Sequence, residues 1–559
     1  MNKPVIALLP MDDRPVNHDY PRYLARMAGY RLLLPERSWL GNPWRASQHG
    51  RLVQWLAQAA ESAEALILSV DTLAYGGLIP SRTSSEPFER VMERLAVLRQ
   101  IKKSHPELPI LGSSVVQRIS RHNSSEEEKD YWAVYGSRMF QLSFLEHRQS
   151  LGEATPDETR QIEALYKEIP DEVYNDYRQG RERNHAVNQA MLNWLAEGVF
   201  DYLLLPQDDT ADYGWNIAEA RLLQAKIRTN GLSARAITYP GADEIGSLLL
   251  ASYVCRKADF MPRVWPRYSS VHSPAVVTSY EDRPVHELLK AHLMPLNGCL
   301  ADSAESADLI LYLNAPAQKQ GEGMYQWMAW AGLENLRKGA PPSVQAFLDQ
   351  AAADPVYQNT RREMDSPHRS PEEFVRALLE ELAAGRPVAL ADVLCVNGSD
   401  LILGNLLVQQ PEIVQLSAYG GWNTAGNTLG TVLAQAVLHR LAVQNGADPG
   451  RIQAHLEFLF LRFLDDYFYQ ARERSLAFLE DLPSLGLPVN GEHLEDPEQA
   501  ARLDAAIQAR LERAAAELGK TFLRSGKVRR VQVENIRLPW QRLFEVGFDV
   551  QVEALTNET

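Results

Sequence analysis

Three cysteines in 559 residues, Cys255, Cys299 and Cys395, are too few and too scattered for a disulfide framework, and no CxxC pair offers a structural zinc site. The histidines give a metal no better foothold: His18, His122 and His185 stand alone, and neither HxH nor HExxH occurs. Long apolar runs are missing too. None reaches the roughly 20 residues of a membrane span. The N-terminal run "VIALLP" stops at Asp12 and Asp13, short of a secretory core segment. Positive charge is scarce: 57 Lys and Arg against 72 Asp and Glu leave a net charge of −15, which argues against a nucleic-acid surface and against anionic membranes. The usual nucleotide signatures, GxxxxGK[ST] and GxGxxG after a strand, are absent, as is the GxSxG elbow. The expectation is a cytoplasmic globular protein with no nucleic-acid or membrane partner and no cofactor.

What is present is a repeated alternation. Short apolar runs bounded by polar turns read as buried strands: "VIALLP", "RLLLP", "ALILSV", "PILGSSVV", "DYLLLP", "ARAITYP", "DLILYL", "PVALADVLCV" and "EIVQLS". Helical patterns such as "PFERVMERLAVLRQIKKS" and "PEEFVRALLEELAAG" lie between them. Strands alternating with helices predict an α/β fold, a mostly parallel sheet with helices outside. About nine strands fit a (β/α)8-barrel-like sheet, which would bring every strand C-terminus to one mouth. An open doubly wound sheet is the alternative. The expected organisation is a barrel-like catalytic domain over 1–445, with a helical insertion at about 121–185, and a C-terminal helical region over 446–559 ending in a small β element. No internal repeat is visible.

The chemistry gathers behind the strands. After the first come Asp12, Asp13, Arg14 and Asn17; after the third, Asp71, Tyr75 and Arg82; after the fourth, Gln117 and Arg118. Asp208 and Asp209 follow "LLLPQ", and Asp243 and Glu244 follow "ITYP". Later runs supply Asn314, Asp392, Asn397 and Asp400, and "AYGGWNTAGNTLG" holds Trp422, Asn423 and Asn427. A lone Asp or Asn past a strand is commonly a helix cap, the bland reading for Asp71, Asp400 and Asn427. Capping does not require Arg14, Tyr75, Arg82, Arg118, Trp422 and paired acids as well.

Asp and Asn side chains match vicinal hydroxyls, and Trp and Tyr offer apolar faces with a polar tip, so the set suits a carbohydrate. Glycosidic cleavage needs two carboxyls, or one carboxyl and a substrate group that replaces the second. Asp208 and Asp209 are the first candidate pair; on extended backbone they would point in opposite directions. Asp243 and Glu244 are a second pair, and Asp12 and Asp13 a third, with Arg14 as an ion-pair partner. For Asp208 and Asp209 the plain alternative is a helix N-terminus. A further acidic pair, Asp465 and Asp466, falls within a helix, where Asp466 would reach Gln470 and Asp465 would reach Arg462. It reads as a solvated or packing feature, or as a closure over the mouth.

Together "LLPMDDRPVN", "SVDTLAYGGLIPSR", "PQDDTADYG", "YPGADEIG", "VNGSD" and "GWNTAGNTLG" resemble, in order from residue 4 to about 475, the bacterial family catalogued as domain of unknown function 4127. "YLLLPQDDTADYG" also looks like the strand-then-Asp-Asp element of (β/α)8-barrel β-N-acetylglucosaminidases. That likeness implies that Asp208 orients a substrate acetamido group and Asp209 is the acid/base. The resulting expectation is a glycoside hydrolase acting on a small-molecule sugar or N-acetylated amino sugar. Asp208, Asp209, Asp243 and Glu244 are the catalytic candidates, and the remaining strand-end residues bind substrate. A metal-dependent hydrolase or lyase, with Arg14, Arg82 and Arg118 taking an anionic group, and a non-catalytic sugar-binding protein are the alternatives. The long C-terminal helices are compatible with a homo-oligomer.

Overall fold

The computed structural model describes residues 3–446, 448–487, 489, 494 and 496–555. The chain divides into two compact units. The first comprises Met1–Asp13, Tyr30–Leu249 and Tyr280–Asp282; the second comprises Arg14–Gly29, Leu250–Ser279 and Arg283–Thr559.

The first unit is built on six parallel strands: β1 (Val5–Leu9), β2 (Arg31–Leu33), β3 (Ala65–Ser69), β4 (Ile110–Ser113), β5 (Tyr202–Gln207) and β6 (Ala236–Pro240). Their order is β2-β1-β3-β4-β5-β6. Strands β1, β3, β4 and β5 are buried along their whole length, which explains why they read as continuous rather than alternating apolar runs. The register aligns Leu8 with Ile67, Ile67 with Leu111, and Leu204 with Ile237. Helices Phe88–Ser104, Asp171–Ala196 and Trp215–Thr229 contribute Leu95, Met191 and Leu223 to the core against Leu66, Leu68 and Leu203. Three helices, Trp132–Ser150, Pro156–Glu168 and Asp171–Ala196, lie between β4 and β5, where the insertion was expected.

The second unit carries β7 (Arg263–Tyr268), β8 (Cys299–Leu300), β9 (Leu309–Asn314), β10 (Gly321–Glu322), β11 (Val388–Asp392), β12 (Cys395–Val396) and β13 (Ala418–Gly420). Five of these form a parallel sheet in the order β13-β11-β9-β7-β8, and β10 pairs with β12. The helices Ala425–Gln444 and Pro449–Arg462, a π-helical stretch Phe463–Glu473 and the helix Pro497–Arg524 follow. An antiparallel pair, β14 (Val528–Arg537) and β15 (Gly547–Ala554), ends the unit, as the alternating pattern there predicts.

The α/β class, the parallel strands and the helices outside are as expected. The strands are shared between two sheets, each in the linear order of a doubly wound fold, and among the described residues no pairing joins β2 to β6. Both sheets use one scheme: the second strand is added beside the first, and the later strands extend from the first strand's other side. This likeness is one of topology, with no trace in the sequence. Such an order leaves a crevice at the strand C-termini where the direction of winding reverses, between β1 and β3 in the first sheet and between β7 and β9 in the second.

Two strand expectations are corrected. "EIVQLS" is largely a 3-10 helix, Pro411–Gln415, and the strand β13 begins only at Ala418. Strand β7 had no counterpart among the apolar runs because Arg263, Pro266 and Arg267 interrupt it.

Candidate functional site

At the C-terminal edge of the first sheet, β5 delivers Gln207, Asp208 and Asp209. The helix Leu78–Thr83 delivers Arg82, and the segment after β4 delivers Arg118. Arg82 grips Asp208 through Nε at 3.2 Å and Nη2 at 2.6 Å, both on Oδ2, and its Nη1 donates to Glu127 Oε2 at 2.9 Å. Arg118 donates to Glu128 at 3.0 Å, to Glu127 at 3.0 Å and to Asp209 at 3.2 Å. The two aspartates therefore meet one connected chain of charges, Asp208–Arg82–Glu127–Arg118–Asp209.

That convergence corrects the expectation that adjacent carboxylates point apart. The rule holds for extended backbone, and Asp209 has φ of 48°, in the left-handed region, where a non-glycine residue is strained. The helix N-terminus reading fails as well: the next helix starts at Trp215, with Gly214 as its cap.

Carboxyls outnumber guanidiniums in this cluster. Glu127, Glu128, Asp208 and Asp209 face Arg82 and Arg118, and Asp71 feels the Asp208 charge. Asp71 is 3% exposed and accepts a bond from the Val115 amide at 2.9 Å; burial above all, with the Asp208 charge adding to it, pushes its carboxyl up to about 7. Burial also raises Asp209, against the pull of Arg118, and raises Glu128. Asp71 does not cap its helix: Ser69 does, through Thr72 N.

The surrounding scaffold is tied by buried hydrogen bonds. Arg181, 1% exposed, donates to the carbonyls of Gln117 and Arg118 and to Glu219. Asn184 bonds Gln117 Oε1 and the Ser81 carbonyl, each at 2.9 Å. Gln207 donates to Asp282 at 3.1 Å.

The other candidates of this unit take supporting places. Asp12 is buried, and Asp13 accepts Arg45 at 3.2 Å on its side chain and Arg37 at 2.6 Å on its carbonyl. Tyr75 lies under the Arg183 guanidinium, 4.9 Å from ring centre. Asp243 and Glu244 are both buried. Glu244 folds over Gly241, whose φ of 127° and proximity (a Cβ there would stand 2.5 Å from Glu244 Oε1) demand glycine.

The remaining candidates belong to the second unit. Asn314, at the end of β9, donates to Asp392 at 2.9 Å and Asp400 at 3.1 Å, and Arg369 binds Asp400 at 2.7 Å. Asp392 is raised by burial and by Asp400. Asp400 caps the helix Leu401–Leu407 through Ile402 N at 2.9 Å, as the bland reading has it; Asn427 does not cap its helix, because Thr424 does. Asn397 and Asn423 are left-handed, with φ of 60° and 73°, and the Asn397 amide donates to the Asn423 carbonyl at 3.1 Å. Trp422 is 4% exposed. Asn17 is buried, Arg14 pairs with Glu545 at 3.4 Å, and Asp13 pairs with Arg45.

Asp465 and Asp466 are buried packing groups, and their partners are exchanged relative to the α-helical expectation. Asp466 pairs with Arg462 four residues back, and Asp465 takes Gln470 at 3.3 Å and Tyr20 at 2.9 Å. The π-helical winding accounts for the five-residue spacing of Asp465 and Gln470, while Arg462, the last residue of the α-helix before it, keeps the four-residue spacing to Asp466.

Sequence reasoning missed Glu127, Glu128, Arg181 and Asn184, all of which lie in the segment taken as a charged insertion. The run "SSEEEKD" reads as solvated, whereas Glu128 is 5% exposed. Among the described residues no group of three or more His, Cys, Asp and Glu is placed to hold a metal ion, and no helix is long and apolar enough to cross a membrane.

A comparison with curated proteins finds no match. The family model described as "Protein of unknown function (DUF4127)" matches residues 6–549, nearly the whole chain, and the protein belongs to that family.

Proposed function

We propose that the protein is a carbohydrate-active enzyme of the glycoside hydrolase class, with its chemistry at the C-terminal edge of the first sheet. The observation that carries this reading is the division of environment between two adjacent carboxyls. Asp208, its side chain 9% exposed, is clamped by two bonds from Arg82 on Oδ2, and among the described residues no donor reaches its Oδ1. It is a fixed acceptor, suited to orient a substrate N–H or O–H. Asp209, its side chain 28% exposed, has a carboxyl raised by burial, which suits a proton donor. Two carboxyls set apart by environment support a split between orienting group and general acid.

The arginines favour a neutral substrate over an anionic one. Every donor nitrogen of Arg82 and Arg118 already meets a carboxylate, so neither is left for a phosphate. The test is release of chromophore from a panel of aryl glycosides, N-acetylhexosaminides included, with and without EDTA. Chelator-resistant cleavage that folded Asp209→Asn loses supports the reading. Cleavage abolished by EDTA, or binding that raises the melting temperature without turnover, sinks it.

A further inference from the structure

The second unit buries a guanidinium that pairs with no carboxylate among the described residues. Arg474 follows the π-helical stretch and is 8% exposed. Its one hydrogen bond is a long one, 3.3 Å from Nη1 to Gln470 Oε1, and its Nε meets no acceptor among the described residues. Its guanidinium lies 5.0 Å above the ring of Phe544, which softens the charge without neutralising it. Leaving a cation buried and unpaired is among the costly arrangements in a protein.

The groups around it are those of a ligand site. Phe544 is half-buried and lies 5.7 Å from Trp422, whose indole Nε1 has no partner among the described residues. The Arg474 charge reaches Glu322, but the two form no ion pair; Glu322 is held instead by Asn397 Nδ2 at 3.3 Å. Desolvation pushes the Glu322 carboxyl up to about 7 despite Arg474, so near neutrality it carries a proton to share. The pairing of β10 with β12 sets Glu322 opposite Val396 and so beside Asn397. The approach is close enough that a Cβ on Gly323 would fall 2.6 Å from the Asn397 carbonyl oxygen. Glu322, Asn397 and Phe544 are only partly covered, while Arg474 and Trp422 lie deeper.

We infer that Arg474, Trp422 Nε1 and Glu322 form a binding site for a small carboxylate, with sugar acids as the fitting class. The ligand carboxylate supplies the missing counter-charge to Arg474 and accepts from the Trp422 indole. Glu322 in its protonated form donates to the second carboxylate oxygen. A dianionic phosphate fits less well, because one guanidinium balances only one of its charges. Asn397 and the ring of Trp422 are placed for hydroxyls and an apolar sugar face. The site stands independently of Asp208 and Asp209.

The experiment is calorimetric titration of the full chain with glucuronate and galacturonate, beside glucose and inorganic phosphate. A uronate should bind, and glucose and phosphate should bind more weakly. Arg474→Gln should weaken the uronate by about 10- to 100-fold, the range for losing bonds to a charged group. Trp422→Phe keeps the ring and loses the donor, and should weaken it by about 2- to 10-fold. Glu322→Gln keeps a donor without the charge and should bind as tightly or more so. Absence of uronate binding in the millimolar range, equal affinity in folded Arg474→Gln, or phosphate binding as tight as uronate overturns the proposal. If Arg474→Gln does not fold, unchanged affinity in Trp422→Phe overturns it.

Discussion

Arg82 closes on a single oxygen of Asp208 with two of its nitrogens while its third holds Glu127, so one buried guanidinium secures two acids that lie 81 residues apart in the chain. Removing either end of such a pair is unequal in effect. Arg82→Met strands Asp208 in a dry setting, while Glu127 keeps Arg118, and is expected to destabilise the first unit by about 3–5 kcal/mol. Asp208→Asn leaves Arg82 with Glu127 and should cost less. Urea denaturation of both variants tests the order; equal losses would mean that Asp208 alone carries the coupling.

Asp71 gives the first unit a signed dependence on pH. Its folded carboxyl titrates at about 7 against an ordinary value of 3.8, so between these values the native state holds a proton that the unfolded chain has lost. Raising the pH through that window therefore lowers stability. The contribution is fullest below about 4 and gone above about 7. Asp71→Asn keeps an acceptor for the Val115 amide and removes the titration. Wild-type stability minus that of the variant should fall steadily from pH 4 to pH 7 and then level off. Parallel curves would show that the carboxyl does not titrate there.

Much of this architecture was legible in the chain because buried parallel strands must be apolar throughout. "VIALL", "ALILS" and "LILYLN" cannot be mistaken for surface. What escaped depended on partners that lie far away in sequence. Strand β7 carries two arginines and a proline in a six-residue strand, and only its neighbours β8 and β9 make it a strand. The Asp-Asp pair could be located, but not its geometry, because the left-handed turn at Asp209 and the partners Arg82, Arg118 and Glu127 are tertiary facts. Arg474 was invisible for the same reason: the second arginine of "YQARERS" looks solvated until Phe544, from the far end of the chain, is laid beneath it.

Gly404 sets packing against propensity. It lies in the helix Leu401–Leu407, where alanine would ordinarily gain about 1 kcal/mol. A Cβ at that position would stand 2.1 Å from Tyr467 Cδ2, in a ring that is 2% exposed and backed by the π-helical stretch. Overpacking of this kind costs about 1–3 kcal/mol or more, so the clash wins and Gly404→Ala should lower the melting temperature. A neutral or stabilised variant would show that Tyr467 can move aside.

The general-acid assignment to Asp209 makes a prediction that a structural role would not. A proton donor matters most when the departing alcohol is a poor leaving group. Asp209→Asn should therefore lose about 10²–10⁴-fold in kcat on alkyl or natural glycosides, and much less on nitrophenyl glycosides, whose phenolate leaves without protonation. The alkaline limb of the pH profile, set by loss of the Asp209 proton, should vanish with it. Asp208→Asn should depress both substrate types alike, because an orienting group is needed whatever leaves. A uniform loss in Asp209→Asn, with the alkaline limb kept, would assign Asp209 to holding Arg118 in place and move the proton donor elsewhere in the cluster, with Asp71 the next carboxyl to replace.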